Sequence, residues 1–261
     1  FLVIMAPFLS RLGSGGGTTA GFGFGKRNII TIPDVPYTGA SAPILNTRDA
    51  AGQTLSSGIR SDPNASNLIL AMPLTINGGR NFNDDVIPAG RSSSAKTVTS
   101  NNASNSSTYK FYGNALYNSG TSSYMSLTSN ILNYSNNFTI ECWVYWTGTL
   151  SALYQDGDRT ALLWLRFAVD STGKLNYYSY PSVSGSSTSS ANLNQWNHIS
   201  FTKSGSTVSY FINGVKDATT TTWANPGGTT NQFQVLDGNG PSYQDLRIYD
   251  SFVKYTGNFT P

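Results

Sequence analysis

"QWNHISFTKSGSTVSYFING", Gln195 to Gly214, alternates in character on both sides of a short polar turn. In an extended chain, successive side chains point to opposite faces. Trp196, His198, Ser200 and Thr202 then share one face, and Asn197, Ile199, Phe201 and Lys203 share the other. Ser204-Gly205-Ser206 joins "HISFTK" to "TVSYFI", and Asn213-Gly214 supplies a second tight turn. Two apolar-alternating runs around such turns predict a β-hairpin. The stretch holds the only histidine of the chain. With no nucleophile or acid at a local spacing, His198 is expected to be a strand residue and not a catalytic base.

The same pattern extends outward. In "FTIECWVYW", Phe138, Ile140, Cys142 and Val144 share one face, while Thr139, Glu141, Trp143 and Tyr145 share the other. "ALLWLRFAV" and "KLNYYSY" flank Asp170-Ser171-Thr172-Gly173, a turn of hairpin length. "LILAM", "KFYGNALYN", "SYMSLTS", "FQVLD" and "DLRIY" complete about ten strands, and no stretch from Leu68 onward has a helical period. Composition agrees: 11% charged and 13% aromatic residues, with 15 Tyr, 13 Phe and 5 Trp, suit strands joined by polar loops. The pattern predicts an all-β sandwich or jelly roll over residues 67–261.

Residues 1–66 read differently. "GSGGGTTAGFGFGK", Gly13 to Lys26, is glycine-rich, and "NIITIPDVPYTGASAP" offers one short β-like run ended by prolines. Such a segment cannot offset its own conformational entropy, so it is expected to be an extended arm lying on other protein, with folding back on its own domain as the alternative. Phe8, Leu9, Phe22 and Phe24 are its candidate assembly contacts. "FLVIMAPFL" is far shorter than the ~20 residues of a membrane span, and Met5 opens a reading frame of its own. A net charge of +3 without a basic cluster argues against nucleic-acid binding. One cysteine, Cys142, leaves no intrachain disulfide, and one Cys with one His makes no zinc site.

Three motifs in order, "FTIECWVYW", "QWNHISFTKSGSTVSYFINGV" and "DLRIYDSFVKYTGNFTP", resemble the laminin-G-like, concanavalin A-like lectin/glucanase domain, in the version found in tail and capsid proteins of marine bacteriophages. The resemblance covers about Leu68 to Pro261. It implies an antiparallel two-sheet jelly roll, and a virion component, either head decoration, head fibre or tail fibre. The opening "MAPFLSRLGSGGGTTAGFGFG" is also similar to the glycine-rich starts of phage virion proteins. Through the arm the chain would contact other virion proteins, and a homo-oligomer on the particle surface is expected. A lectin-like module that binds cell-surface glycans for host adsorption is the alternative.

Glucanases of this scaffold carry Glu-x-Asp-x-x-Glu on one strand, and hydrolysis needs two facing carboxyl groups. That motif is absent, and Glu141 stands alone in its run, so no enzyme is expected. For glycans, Trp143, Trp164, Tyr178 and Trp223 are the candidate stacking platforms; Trp223, in "TTTTWANPGG", has small polar neighbours with nothing local to bury it. Strand aromatics also serve as packing residues. No cofactor is required, but calcium favours oxygen-rich loops, which makes Asp156, Asp158 and Asp237 candidate ligands, with Asp84-Asp85 as a further pair. Asp-Gly is equally an ordinary turn dipeptide. Where the family carries Phe-Asp-Gly, this chain has Pro73-Leu74-Thr75 and Tyr117-Asn118-Ser119, which weakens any inherited calcium site.

Overall fold

The computed structural model describes residues 64, 67–72, 74, 98–111, 114–120, 123–127, 131–158, 163–179, 183–225 and 233–261. The arm contacts Phe8, Leu9, Phe22 and Phe24 lie outside them, as do Asp84 and Asp85. Fifteen strands occur among the described residues: β1 (Leu68–Met72), β2 (Val98–Asn101), β3 (Ala103–Ser106), β4 (Ala115–Asn118), β5 (Ser123–Leu127), β6 (Phe138–Trp146), β7 (Ser151–Asp158), β8 (Leu163–Val169), β9 (Lys174–Ser179), β10 (Val183–Ser190), β11 (Gln195–Ser204), β12 (Thr207–Ile212), β13 (Val215–Thr222), β14 (Phe233–Gly238) and β15 (Ser242–Asp250). All pairings are antiparallel. One sheet runs β13-β12-β11-β6-β15-β4-β3 with β1 added beside β15, and the other runs β10-β9-β8-β7-β14-β5-β2. The all-β, two-sheet jelly-roll expectation holds. No helix among the described residues is long and apolar enough to cross a membrane.

The inner faces are those the alternation assigned. Phe138, Ile140, Cys142 and Val144 of β6 and Ile199 and Phe201 of β11 are fully buried against Leu165, Phe167, Leu175 and Tyr177 of the opposite sheet. Phe167 lies 5.8 Å from Phe138 and 5.2 Å from Phe201, ring centre to ring centre, so aromatics bridge the sheets directly. The hairpin that began the reading forms as expected, with Ile199 opposite Ile212 and Ser204 opposite Thr207. Asn213 and Gly214 take positive φ (50° and 79°), the twist that a two-residue hairpin turn demands. Gly214 is needed twice over, because an added Cβ would also collide with the Phe259 carbonyl oxygen.

The pattern missed five strands: β7, a central strand whose "QDGD" reads as a loop, and β2, β3, β10 and β13, which are the outermost strands of the two sheets. Their sequences, such as "VSGSSTSS" and "VKDATTTT", are Ser- and Thr-rich because an edge strand buries little. Two of these edges are clasped together by Asp217 of β13. Its carboxylate accepts from the backbone N–H of Thr188 (2.9 Å) and Ser189 (2.8 Å) on β10 and from its own strand's Thr219 (2.8 Å). The Thr188 and Thr219 hydroxyls meet beside it at 2.5 Å. Burial alone would raise the Asp217 pKa, but the three N–H donors outweigh it and hold the carboxyl down to about 2.

A depressed carboxyl stabilises the fold above its unfolded pKa of about 3.9 and loses that contribution as pH falls through about 2. Asp217→Ala, which leaves three part-buried N–H donors without their acceptor, is expected to lower unfolding free energy at pH 6 by ~1 kcal/mol. Urea unfolding at pH 6 and pH 2.5 checks this: the gap between variant and wild type should narrow at the lower pH.

Candidate functional site

The two outer faces meet different fates. On the face away from the core, β6 and β11 present Glu141, Trp143, His198 and Thr202, and the C-terminal segment after β15 lies over them. Lys254 Nζ reaches Glu141 Oε1 at 2.6 Å, and the Tyr255 hydroxyl donates to Oε2 at 2.6 Å. The Tyr249 hydroxyl donates to Oε1 at 2.8 Å, and His198 Nε2 stands 3.6 Å from Oε2. Burial would push Glu141 up, but the Lys254 ammonium, then His198 and Arg247, hold it well below the usual carboxylate range. Tyr255 and Phe259 stack at 3.5 Å over His198 and Phe211, and the Phe259 N–H donates to the Gly214 carbonyl at 2.8 Å. His198 is 4% exposed, a strand residue packed beneath the tail.

Trp143 is corrected by the same arrangement. It is 7% exposed, with Phe111 edge-on at 5.4 Å and Lys110 Nζ 4.4 Å from its ring centre. The backbone N–H groups of Lys110 and Phe111 both donate to Gln244 Oε1, which pins this cover in place. No face of Trp143 remains for a sugar.

Trp223 is also corrected. It follows β13 and closes one end of the sandwich, parallel to Tyr177 at 5.4 Å and Phe167 at 6.4 Å, with Phe138 edge-on at 5.5 Å. Lys203 Nζ sits 5.4 Å from its ring centre. Its sequence neighbours are small, but its spatial neighbours come from β6, β8 and β9, so it is a half-buried plug of the core.

The outer face of the other sheet is built by register. One row crosses all seven strands: Thr99, Ser126, Gln234, Gln155, Arg166, Tyr178 and Ser184 are successive cross-strand partners. The adjacent row, Met125, Val235, Tyr154, Phe167 and Tyr177, is fully buried core. Period-two alternation therefore turns Thr99, Ser126, Gln155, Arg166 and Tyr178 away from the interior. Thr99 is exposed, Ser126, Arg166 and Tyr178 are half-buried, and Gln155 in the central strand is buried. Beside them Asn176 donates to the Ser186 hydroxyl at 3.1 Å. Of the expected platforms, Tyr178 belongs to this face; Trp164 pairs with Gly157 two positions further along, and its side chain lies outside the described residues.

The calcium candidates do not converge. Asp156 and Asp158, expected on a loop, end strand β7. Asp156 pairs with Leu165 and Phe233 and is 1% exposed. Its Oδ2 accepts from the Tyr154 hydroxyl at 3.0 Å, and Oδ1 has no donor. Burial raises its pKa to about 8, so at neutral pH it is an acid group and a poor cation ligand. The side chain of Asp158 lies outside the described residues. Asp237, on β14, is half-buried, and no three Asp, Glu, His or Cys residues gather among the described residues. Asn118, at a family Asp position, donates its amide to the carbonyls of Ser123 and Leu236; a carboxylate has no proton for that. Among the described residues, Asp156 and Asp237 do not come together with a third ligand into a calcium site.

The architecture defines a two-sheet, lectin-type sandwich. A laminin-G-type family model described as the concanavalin A-like lectin/glucanases superfamily matches residues 119–253, just over half of the chain, and the chain belongs to that family. No curated protein matches. Among solved structures, the Trypanosoma rangeli sialidase in complex with sialic acid aligns over 80% of this chain and 34% of its own at 15% identity, TM-score 0.50; the chain thus spans about a third of that relative's length. Domain 4 of AbnA, a GH43 extracellular arabinanase from Geobacillus stearothermophilus, in complex with arabinotriose, aligns over 67% of this chain and 88% of its own at 18% identity, TM-score 0.45. Carbohydrate-binding module CBM66 from Bacillus subtilis aligns over 58% of this chain and 94% of its own at 12% identity, TM-score 0.39. At such identities the likeness concerns the fold alone.

Two outcomes follow from the buried carboxyls. Lys254→Ala removes the nearest cation from Glu141 and is expected to cost about 3 kcal/mol, most of it recovered in Glu141→Gln/Lys254→Met; chemical denaturation of the three proteins checks this. Asp156 has the opposite sign from Asp217. Its folded pKa lies above the unfolded value, so stability falls as pH rises from about 4 to about 8. Thermal unfolding across that range should show a flatter pH dependence in Asp156→Asn.

Proposed function

We propose that this chain is a structural component of a bacteriophage virion, held by residues 1–66 and displaying a glycan-binding jelly roll. The glycan lies on the outer face of the β10-β9-β8-β7-β14-β5-β2 sheet. One observation carries the binding part. Of the two outer faces, one is covered by the chain's own C-terminal segment, while the other bears polar side chains with Tyr178 among them. Sugars are held by an aromatic ring against the apolar face of the pyranose and by amide, hydroxyl and guanidinium groups on its hydroxyls. Tyr178, Arg166, Asn176 and Ser126 supply those groups. The same face argues for binding over hydrolysis: Asp237 is its one acid among the described side chains, whereas glycosidases use two. The virion setting rests on the resemblance of the domain and of the glycine-rich opening to phage virion proteins.

Glycan-array binding of the full chain, followed by titration with the best ligand, tests the first part. Tyr178→Ala and Arg166→Ala are expected to weaken binding about tenfold or more with unfolding temperature unchanged. Equal binding in both variants rejects the face. Cross-linking of purified particles tests the second part: residues 1–66 should link to other virion chains, and absence of the protein from particles rejects it.

A further inference from the structure

A second concavity lies apart from that row, at the end of the sandwich plugged by Trp223. Its volume is about 510 Å³, and Ile131, Leu132, Asn133, Tyr134, Ser135 and Asn225 line it, a size within the range of small-molecule sites. We infer that this cleft is a binding site for a neutral sugar residue, independent of the sheet face and standing whether or not the sheet-face reading holds.

The chemistry of the lining selects the ligand class. Two carboxamides, one hydroxyl, one phenol and two aliphatic side chains contribute, and none is ionisable near neutral pH. An anionic or cationic ligand would find no counter-charge in the lining. Lys203, the cation beside Trp223, is taken up by the Asn136 carbonyl at 2.8 Å and by the Trp223 ring. A pyranose suits both halves of such a wall, with its C–H face on Ile131 and Tyr134 and its hydroxyls on Asn133, Ser135 and Asn225.

The walls are held before any ligand arrives. Asn133 Oδ1 accepts from the Ser135 N–H at 3.1 Å, and the Asn133 carbonyl accepts from the Asn136 N–H at 2.9 Å, which fixes the turn. That bond uses the acceptor of the Asn133 side chain and leaves its NH2 to donate. On the other wall, the Tyr177 hydroxyl donates to the Ala224 carbonyl at 2.9 Å and accepts from its N–H at 3.0 Å, so a core tyrosine sets the position of Asn225. Tyr134 packs 6.0 Å from Trp223, and its hydroxyl is buried without a protein partner. Preorganised walls reduce the ordering cost of binding.

The test uses the full chain, labelled with ¹⁵N, and four probes: methyl α-D-glucopyranoside, methyl β-D-galactopyranoside, N-acetylglucosamine and sodium glucuronate. At least one neutral probe should shift the side-chain amide signals of Asn133 and Asn225, and the charged probe should not. Asn225→Ala, at an exposed position, should raise that Kd about tenfold with unfolding temperature unchanged; Ser135→Ala provides a second exposed variant. Tyr178→Ala should leave these shifts intact, which separates the cleft from the sheet face. Three results would each overturn the inference: no shift with any neutral probe at about 50 mM (a Kd of about 1 mM is already only about −4 kcal/mol), equal affinity in both cleft variants, or shifts abolished by Tyr178→Ala.

Discussion

Phe167 is the contact on which the molecule depends. From β8 it touches Phe138 and Phe201 of the opposite sheet, Tyr177 beside it and Trp223 at the end of the sandwich. Sheets packed face to face stand about 10 Å apart, and large rings fill that gap with few side chains. Because these inner rows are apolar and fully buried, every alternate residue must face outward. The position of each outer row, and hence of each candidate site, follows from the placement of this aromatic layer.

A chain with so few charges makes the buried ones conspicuous, and three carboxyls resolve burial in three ways. Glu141 is paired with Lys254 and roofed by two tyrosines. Asp217 has no cation in its clasp and is stabilised by backbone N–H groups that would otherwise be unpaired at a sheet edge. Asp156 has only the Tyr154 hydroxyl, and burial favours its protonated form. Desolvation acts on all three; what differs is the supply of positive charge or donors. The first two tie segments together, the tail to one sheet and one edge strand to another. The third stays within its own strand.

Much of the fold was legible. The faces of "FTIECWVYW", the turns at Asp170 to Gly173 and at Asn213-Gly214, and the strand role of His198 all follow from alternation and turn chemistry. The edge strands were not, because "VSGSSTSS" and "VKDATTTT" are polar on both faces and carry no period to detect. The site residues were harder. Tyr178 was legible as a strand aromatic among the candidate platforms. The partners of Arg166 and Gln155 in one row were not, because cross-strand register is set between segments distant in sequence. Glu141 looked alone because Lys254 and Tyr255 lie more than a hundred positions away.

The sequence by itself determined which residues alternate, where the hairpins turn, and that no paired-acid motif of the glucanase type is present. These are local properties, decided by side-chain size, polarity and backbone freedom over a few residues. Only the tertiary structure decided that Trp143 is covered, that Trp223 plugs the core, that Asp156 points inward, and that one sheet face is covered while the other carries polar side chains. Those outcomes depend on which segments meet in space, and no short window of sequence holds that information.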